Sequence, residues 1–339
     1  MKRLLLAALA AASLSAAEPY SLRPDELPAL AAEAPKALRA PISTVADKPF
    51  PSPGGDVHDY VSYARYYWPD PAKPDGLPYV QRDGHHNREQ VAKGDRHRID
   101  QLADAVLPLA AAWRLHRDEA AARRAGEWLR AWYVTPATRM NPHLEFAQVR
   151  LGHSHNRGNA AGVLDTRAFA QVVDALQLLD DSPALSAEEK AAIRAWFGQF
   201  TDWLLTAPNA RAERAARNNH ATWYFAQAIP LARYAGRIDT ARELAEDARS
   251  RIGVQIRPDG SQPEEIRRVD GLGYSRFNLE AYAAVARQAA GLGVDFWNYQ
   301  APNGASLRAA VAFLQPYNAD PAKWPHSQHE KLPAGFLDA

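Results

Sequence analysis

The chain has 339 residues, 47% hydrophobic and 23% charged, a balance that excludes a disordered chain and supplies enough apolar mass for a large core in one or two domains. Its 40 basic residues against 39 acidic ones give no global field for nucleic acid or a membrane surface, so any polyanion must be held by a local cluster. Zero cysteines exclude disulfides and thiolate chemistry.

The first stretch, "MKRLLLAALAAASLSAAEP", has a basic start, an apolar run too short to span a bilayer, and small residues Ser15 and Ala17 ahead of a cut. Residues 1–17 therefore read as a secretory signal peptide, with the mature chain starting near Glu18. The signal carries Lys2 and Arg3 and no acid, so its removal takes the count from 40 against 39 to 38 against 39. No later apolar run has membrane-spanning length. The expectation is a soluble periplasmic or secreted protein that touches neither membrane nor nucleic acid, of open oligomeric state.

Residues 18–97 are rich in proline and aromatics with little sustained periodicity, as in "YYWPDPAKPDGLPYVQRDG". Tyr60, Tyr63, Tyr66, Tyr67, Trp68 and Tyr79 argue against disorder, and the segment reads as a loop-rich arm that wraps the body and supplies a lid. From 98 onward helix patterns follow one another, near 98–116, 119–133, 166–179, 187–205, 221–234, 238–252, 278–290 and 306–314, and strand alternation is nearly absent. "SAEE" from Ser186 has the form of a capping box. Helices of this length with short connectors pack as antiparallel neighbours, and about four hairpins in series close into a ring. The fold class expected is all-α, an incomplete α/α toroid over 98–339 that forms one structural unit with the arm.

Two long connectors, near 134–165 and 253–277, interrupt this order, and long loops on a helical scaffold are where sites are placed. From Arg139 to Arg157 the first holds three arginines and three histidines against one acid, Glu145, a cationic patch suited to an anionic ligand or simply a solvated loop. His153 and His155 lack a third ligand at metal spacing, so no metal and no cofactor is expected. The helix near 221 opens with Asn218, Asn219 and His220, more polar groups than capping needs. The second connector offers Arg267, Arg268 and a glycine-flanked Tyr274.

These amide, imidazole, guanidinium and phenol groups suit β-elimination on a uronic acid. Removing the hydrogen alpha to a carboxylate demands that fixed donors first quench the carboxylate charge. A tyrosine pushed towards phenolate by an arginine can then take that hydrogen and return one to the departing glycosidic oxygen. Trp223, just inside the helix, is a weaker candidate for stacking on a sugar face or a core residue. A hydrolase using two carboxylates such as Glu145 and Glu265, or a non-catalytic polyuronate-binding protein, are the rival readings.

"NNHATWY", "PDGSQPEEIRRVDGLGYSRFNLE" and "TRMNPHLEFAQ", with "YYWPDPAKPDGLPYVQRDG" ahead of them, resemble the alginate lyase superfamily, closest to polysaccharide lyase family 38 and more distantly family 5. The resemblance covers roughly Tyr60 to Tyr317 and implies an incomplete α/α toroid with a cleft for acidic polysaccharide, mannuronate-rich alginate or β-glucuronan. It implies that Asn219 and His220 neutralise the uronate carboxylate, and that Tyr274 is the acid and a candidate base. The arginine beside that tyrosine falls at Arg268 or, with a one-residue shift, Arg267. It further implies subsite contacts by Arg139, Asn141, His143 and Gln148, and a lid around Tyr67. A histidine at His153 or His155 would serve as a base for the opposite C5 epimer. The chain stops soon after Tyr317 without the final helix expected from relatives, which leaves closure of the ring open.

Overall fold

The computed structural model describes residues 18–337; the signal peptide expected over 1–17 lies outside the described residues. The arm is less irregular than its composition suggests, because it carries α1 (Leu27–Ala32) and α2 (Ala34–Ala37), with α3 (Arg88–Ala92) at its far end. Leu27, Ala31, Ala34 and Ala37 are buried, and α1 and α2 pack on α4 (Arg96–His116). Strand β1 (Val61–Tyr63) lies in the arm, and β2 (Tyr67–Trp68) pairs antiparallel with β3 (Val80–Gln81) in a small hairpin.

The body continues with α5 (Glu119–Tyr133), β4 (Phe146–Val149), α6 (Phe169–Leu178), α7 (Ala187–Thr206), α8 (Pro208–Arg214), α9 (Asn219–Tyr234) and α10 (Ile238–Ser250). It ends with α11 (Ile252–Gln255), α12 (Pro263–Ile266), α13 (Gly271–Ala290) and α14 (Leu307–Ala319). Sequence signals set most of these limits. Asp118 caps α5 by accepting from Ala120 and Ala121, and Ser186 and Glu189 form the expected capping box on α7. The departure is α13, which begins at Gly271 rather than near 278. Its first turn reads as glycine-punctuated loop, and its cap comes from elsewhere in the chain.

Packed neighbours run α4, α6, α9, α13 on the inside, with α5, α7, α10 and α14 against them on the outside, an α/α toroid. The seam between α6 and α7 is aromatic: Phe169 meets Trp196, Phe197 and Phe200 edge-on at 5.6–6.1 Å, and Tyr133 and Tyr234 extend the cluster. These aromatic pairs add to area burial. At the rear, the backbone N–H groups of Tyr20 and Ser21 donate to Asp174 of α6, while Arg287 and Gln288 of α13 donate to Ser21. That segment bridges α13 to α6 across a central opening of about 680 Å³. Beyond α13, Trp297 is 49% exposed.

The arm is fastened to the body by β1 pairing parallel with β4 and by one buried carboxylate. Asp165 accepts from Tyr60 Oη at 3.0 Å, Ser62 Oγ, Arg96 at 2.8 Å and Gln148 Nε2 at 2.9 Å. Arm, first inner helix and first connector thus meet on a single side chain. Replacing Asp165 by Ala leaves the Arg96 guanidinium, mostly buried, without its acid, which should cost about 3–5 kcal/mol. Guanidinium denaturation of the Asp165→Ala protein should show that loss as a lower midpoint.

Candidate active site

Residues at or beside the starts of the four inner helices line one cleft: Arg96 of α4, Arg167 just ahead of α6, Asn219 and His220 of α9, and Tyr274 of α13. Residues further along the same helices, among them Asp104, Asp174, Trp223 and Glu280, line the central opening instead. The inner helices therefore all run away from the cleft. Each helix start carries the positive end of its dipole, so this end of the toroid favours an anion. The arm adds the opposite wall with Arg65, Tyr66, Tyr67, Gln81 and Asp83, around a volume of about 380 Å³.

The lining carries Arg65, Arg96, Arg150, Arg167 and Arg268 against one carboxylate, Asp83. Arg96 is neutralised by Asp165, and Arg268 donates to Asp83 at 3.1 Å. Among the described residues Arg65, Arg150 and Arg167 have no acid partner. Burial, reinforced by the charge of Arg96, pulls the Arg167 pKa below the ordinary guanidinium value. The cleft holds an excess of positive charge that a ligand has to balance.

Two buried carboxylates behind the cleft set the groups at the start of α9. The Asn219 backbone N–H and Nδ2 donate to the two oxygens of Glu265 at 2.6 and 2.7 Å, which leaves one Nδ2 hydrogen and the amide oxygen. His220 Nδ1 pairs with Glu213 Oε1 at 2.6 Å, so Nε2 is the uncommitted ring nitrogen. Burial disfavours the imidazolium, but the hydrogen bond and charge of Glu213, with the charge of Glu265, outweigh it and lift the His220 pKa above its ordinary value. Burial likewise raises Glu213 and Glu265.

Tyr274 Oη lies 3.0 Å from Arg268 Nη2, which donates to it, and 3.0 Å from Tyr66 Oη. The Arg268 guanidinium also sits 4.0 Å from the phenol ring centre. Burial and the Tyr66 hydroxyl nevertheless hold the Tyr274 pKa well above the ordinary phenol value, the arginine lowering it only in part. The neighbouring arginine thus pushes Tyr274 towards phenolate, and burial pushes the other way more strongly.

The structure brings together Asn219, His220, Arg268, Tyr274, Tyr67 and Gln148 in this cleft. It separates others. Arg267 is exposed and pairs with Glu264, which resolves the register in favour of Arg268. Asn141 donates to Asp56 and Asp59, and His143 sits 3.0 Å from Asp59, so both fasten the arm rather than line the cleft. Arg139 is exposed outside the cleft, its carbonyl meeting His58. His153 bonds the Tyr79 carbonyl behind Tyr67, and His155 is exposed in a left-handed turn, so neither lines the cleft. Asn218 caps α9 by accepting from His220, and Trp223 packs at a tilt on Phe277, ring centres 4.9 Å apart, and faces the central opening. Glu145 is bound by Arg157 and Trp203 and Glu265 by Asn219, so the two carboxylates of the hydrolase reading do not meet in the cleft. Sequence reasoning missed Tyr66 as a site residue, along with Arg65, Arg96, Arg150, Arg167 and Glu213. Arg65, Tyr66 and Arg96 stood in the arm, and Arg150 was counted in the cationic patch of the first connector.

Fold and cleft together define the class, a polysaccharide lyase on an α/α toroid. The family model described as alginate lyase matches residues 44–324. An alginate lyase from Bacteroides ovatus is 37% identical, with a TM-score of 0.85 over 90% of this chain and 80% of that one. Alginate lyase A1-III from Sphingomonas species A1 shares the fold at 15% identity, with a TM-score of 0.58 over 92% and 84%. A histidine-to-alanine variant of A1-III, complexed with a tetrasaccharide, gives a TM-score of 0.55 at 14% identity over 91% and 80%. No curated protein matches the chain. The chain belongs to the alginate lyase family.

Glu213→Gln removes the charge that raises His220, leaves only a neutral acceptor for its ring N–H, and keeps the burial that lowers it. An NMR titration of the His220 imidazole should therefore show its pKa falling below the wild-type value. An unchanged titration would mean that Glu213 does not set the charge of His220.

Proposed function

We propose that this protein is an exported lyase that cleaves a 1,4-linked polyuronate, mannuronate-rich alginate or β-glucuronan, by β-elimination and leaves a 4,5-unsaturated uronate at the new end. The observation that carries the reading is the sharing of one cleft by His220 and Asn219, held from behind by carboxylates, and by Tyr274, held between Arg268 and Tyr66. His220, with its raised pKa, and the free Asn219 amide hydrogen quench the uronate carboxylate, so the hydrogen alpha to it becomes acidic. The unpartnered Arg65, Arg150 and Arg167 hold the flanking acid sugars.

Tyr274, a phenol at rest, is the acid that protonates the leaving glycosidic oxygen. With His153 and His155 outside the cleft, the same oxygen in its phenolate form is the group that takes the C5 hydrogen, and Arg268 and Tyr66 are the two donors that bear its charge. The resting phenol first gives its proton to solvent as the substrate binds; the phenolate then takes the C5 hydrogen, delivers that same hydrogen to the glycosidic oxygen and is phenolate again, and no water is consumed. Export rests on the first 17 residues. No helix among the described residues is long and apolar enough to cross a membrane.

Incubation with polymannuronate, polyguluronate and glucuronan should raise the ultraviolet absorbance of a conjugated uronate with at least one of them, and absence of signal with all three refutes the lyase reading. Tyr274→Phe should lower kcat by about 10³-fold while calorimetry shows substrate affinity held within a few-fold, the split expected when an acid–base group is lost. His220→Ala should lower kcat by about 10²–10³-fold, the loss typical of one charge-quenching donor.

A further inference from the structure

The helix that carries Tyr274 is capped by a distant part of the chain. The first N–H groups of a helix need acceptors, and an aspartate at the N-cap ordinarily supplies one. Asp270 occupies that position on α13 and makes no side-chain cap bond. Its Oδ1 is spent on the backbone N–H groups of His329 and Glu330, both at 2.7 Å.

In exchange the tail reaches back. Gln328 Oε1 accepts from the N–H groups of Leu272 at 3.0 Å and Gly273 at 3.4 Å, and the Ser327 carbonyl accepts from Gly271 at 3.0 Å. Ser327 Oγ donates to the Val269 carbonyl at 3.0 Å, and Gln328 Nε2 is braced on the Glu330 carbonyl at 2.6 Å. Three successive N–H groups are thus satisfied by residues 327 and 328. The fourth, that of Tyr274, makes the first bond inside the helix, to Asp270 at 2.9 Å. Gln328 lies past residue 324, where the family match ends, so that match does not account for it.

We propose that Gln328 is a positioning residue for Tyr274: by capping α13 from the tail it fixes the roll of the first turn, and with it the place of the phenol. The inference rests on Tyr274 being the acting group. Tyr274 Oη sits far out on its side chain and must keep 3.0 Å contacts to both Arg268 and Tyr66, so a slight roll of the turn breaks one of them.

The test compares the full-length protein with its Gln328→Ala and Gln328→Glu variants. On a polyuronate that the wild type cleaves, Gln328→Ala should lose about 10- to 100-fold in kcat with KM within about threefold, as misplacement of a reacting group by a fraction of an ångström does. Gln328→Glu keeps the acceptor and should recover most of the loss. Amide hydrogen exchange at Leu272 and Gly273 should quicken in the Ala variant and return towards wild type in the Glu variant. Should Gln328→Ala not fold, Gln328→Asn withdraws the acceptor with a smaller change and takes its place. A kcat within about twofold of wild type, a Glu variant as impaired as the Ala one, or unchanged exchange at these amides overturns the proposal. A wild type that forms no unsaturated uronate is a separate result: it refutes the lyase reading, while the exchange measurement still decides whether Gln328 caps α13.

Discussion

Four inner helices that all start at the same end impose the electrostatics on which everything else in this protein depends. Their N-terminal N–H groups, together with five arginines, gather positive charge around one cleft, and an assembly of that kind repels itself unless negative charge stands close by. The chain supplies it from behind. Asp165, Glu213 and Glu265 are buried at the rear of the cleft, and they respectively hold Arg96 with Gln148, His220, and Asn219. The acids face inward and the donors face outward, so the surface offered to a ligand is a set of fixed hydrogen-bond donors with an excess of positive charge.

This layering also explains why single carboxylates do more than one task. Asp165 fastens the arm to the first inner helix and at the same time orients two groups of the cleft. Glu265 accepts both the backbone and the side chain of Asn219, so the start of α9 and its amide are placed by one residue. An arrangement with this much shared support holds its donors rigid before a ligand arrives, which is what charge stabilisation in a cleft requires. Tyr274 follows a different rule. Its oxygen is placed by groups from the arm and from the loop before α13, and burial lifts its pKa above the ordinary phenol value.

Much of the architecture was legible in the chain. The limits of α5 and α7, the capping box at Ser186 and the run of hairpins follow from apolar spacing and local caps, which are properties of neighbours in sequence. The start of α13 was not, because its first residues are glycines and its cap arrives from Gln328. The site divides in the same way. Asn219, His220 and Tyr274 stood out because each departs from what its local element needs. Asn141, His143, His153 and His155 stood out equally, yet they fasten the arm, pair with a carbonyl or face solvent. Residue type and spacing do not distinguish a group that meets a ligand from one that meets an aspartate across a fold.

By itself the amino-acid order determined that this protein is helical and that it builds an α/α ring with an arm. These properties are encoded over a few turns of chain, where periodicity and capping act. Tertiary structure alone decided which arginine meets Tyr274, that Tyr66 of the arm shares its hydroxyl, that Trp223 turns to the central opening, and that Glu145 and Glu265 never meet. Each of these depends on how elements far apart in the chain are brought together by burial, and no local pattern records that.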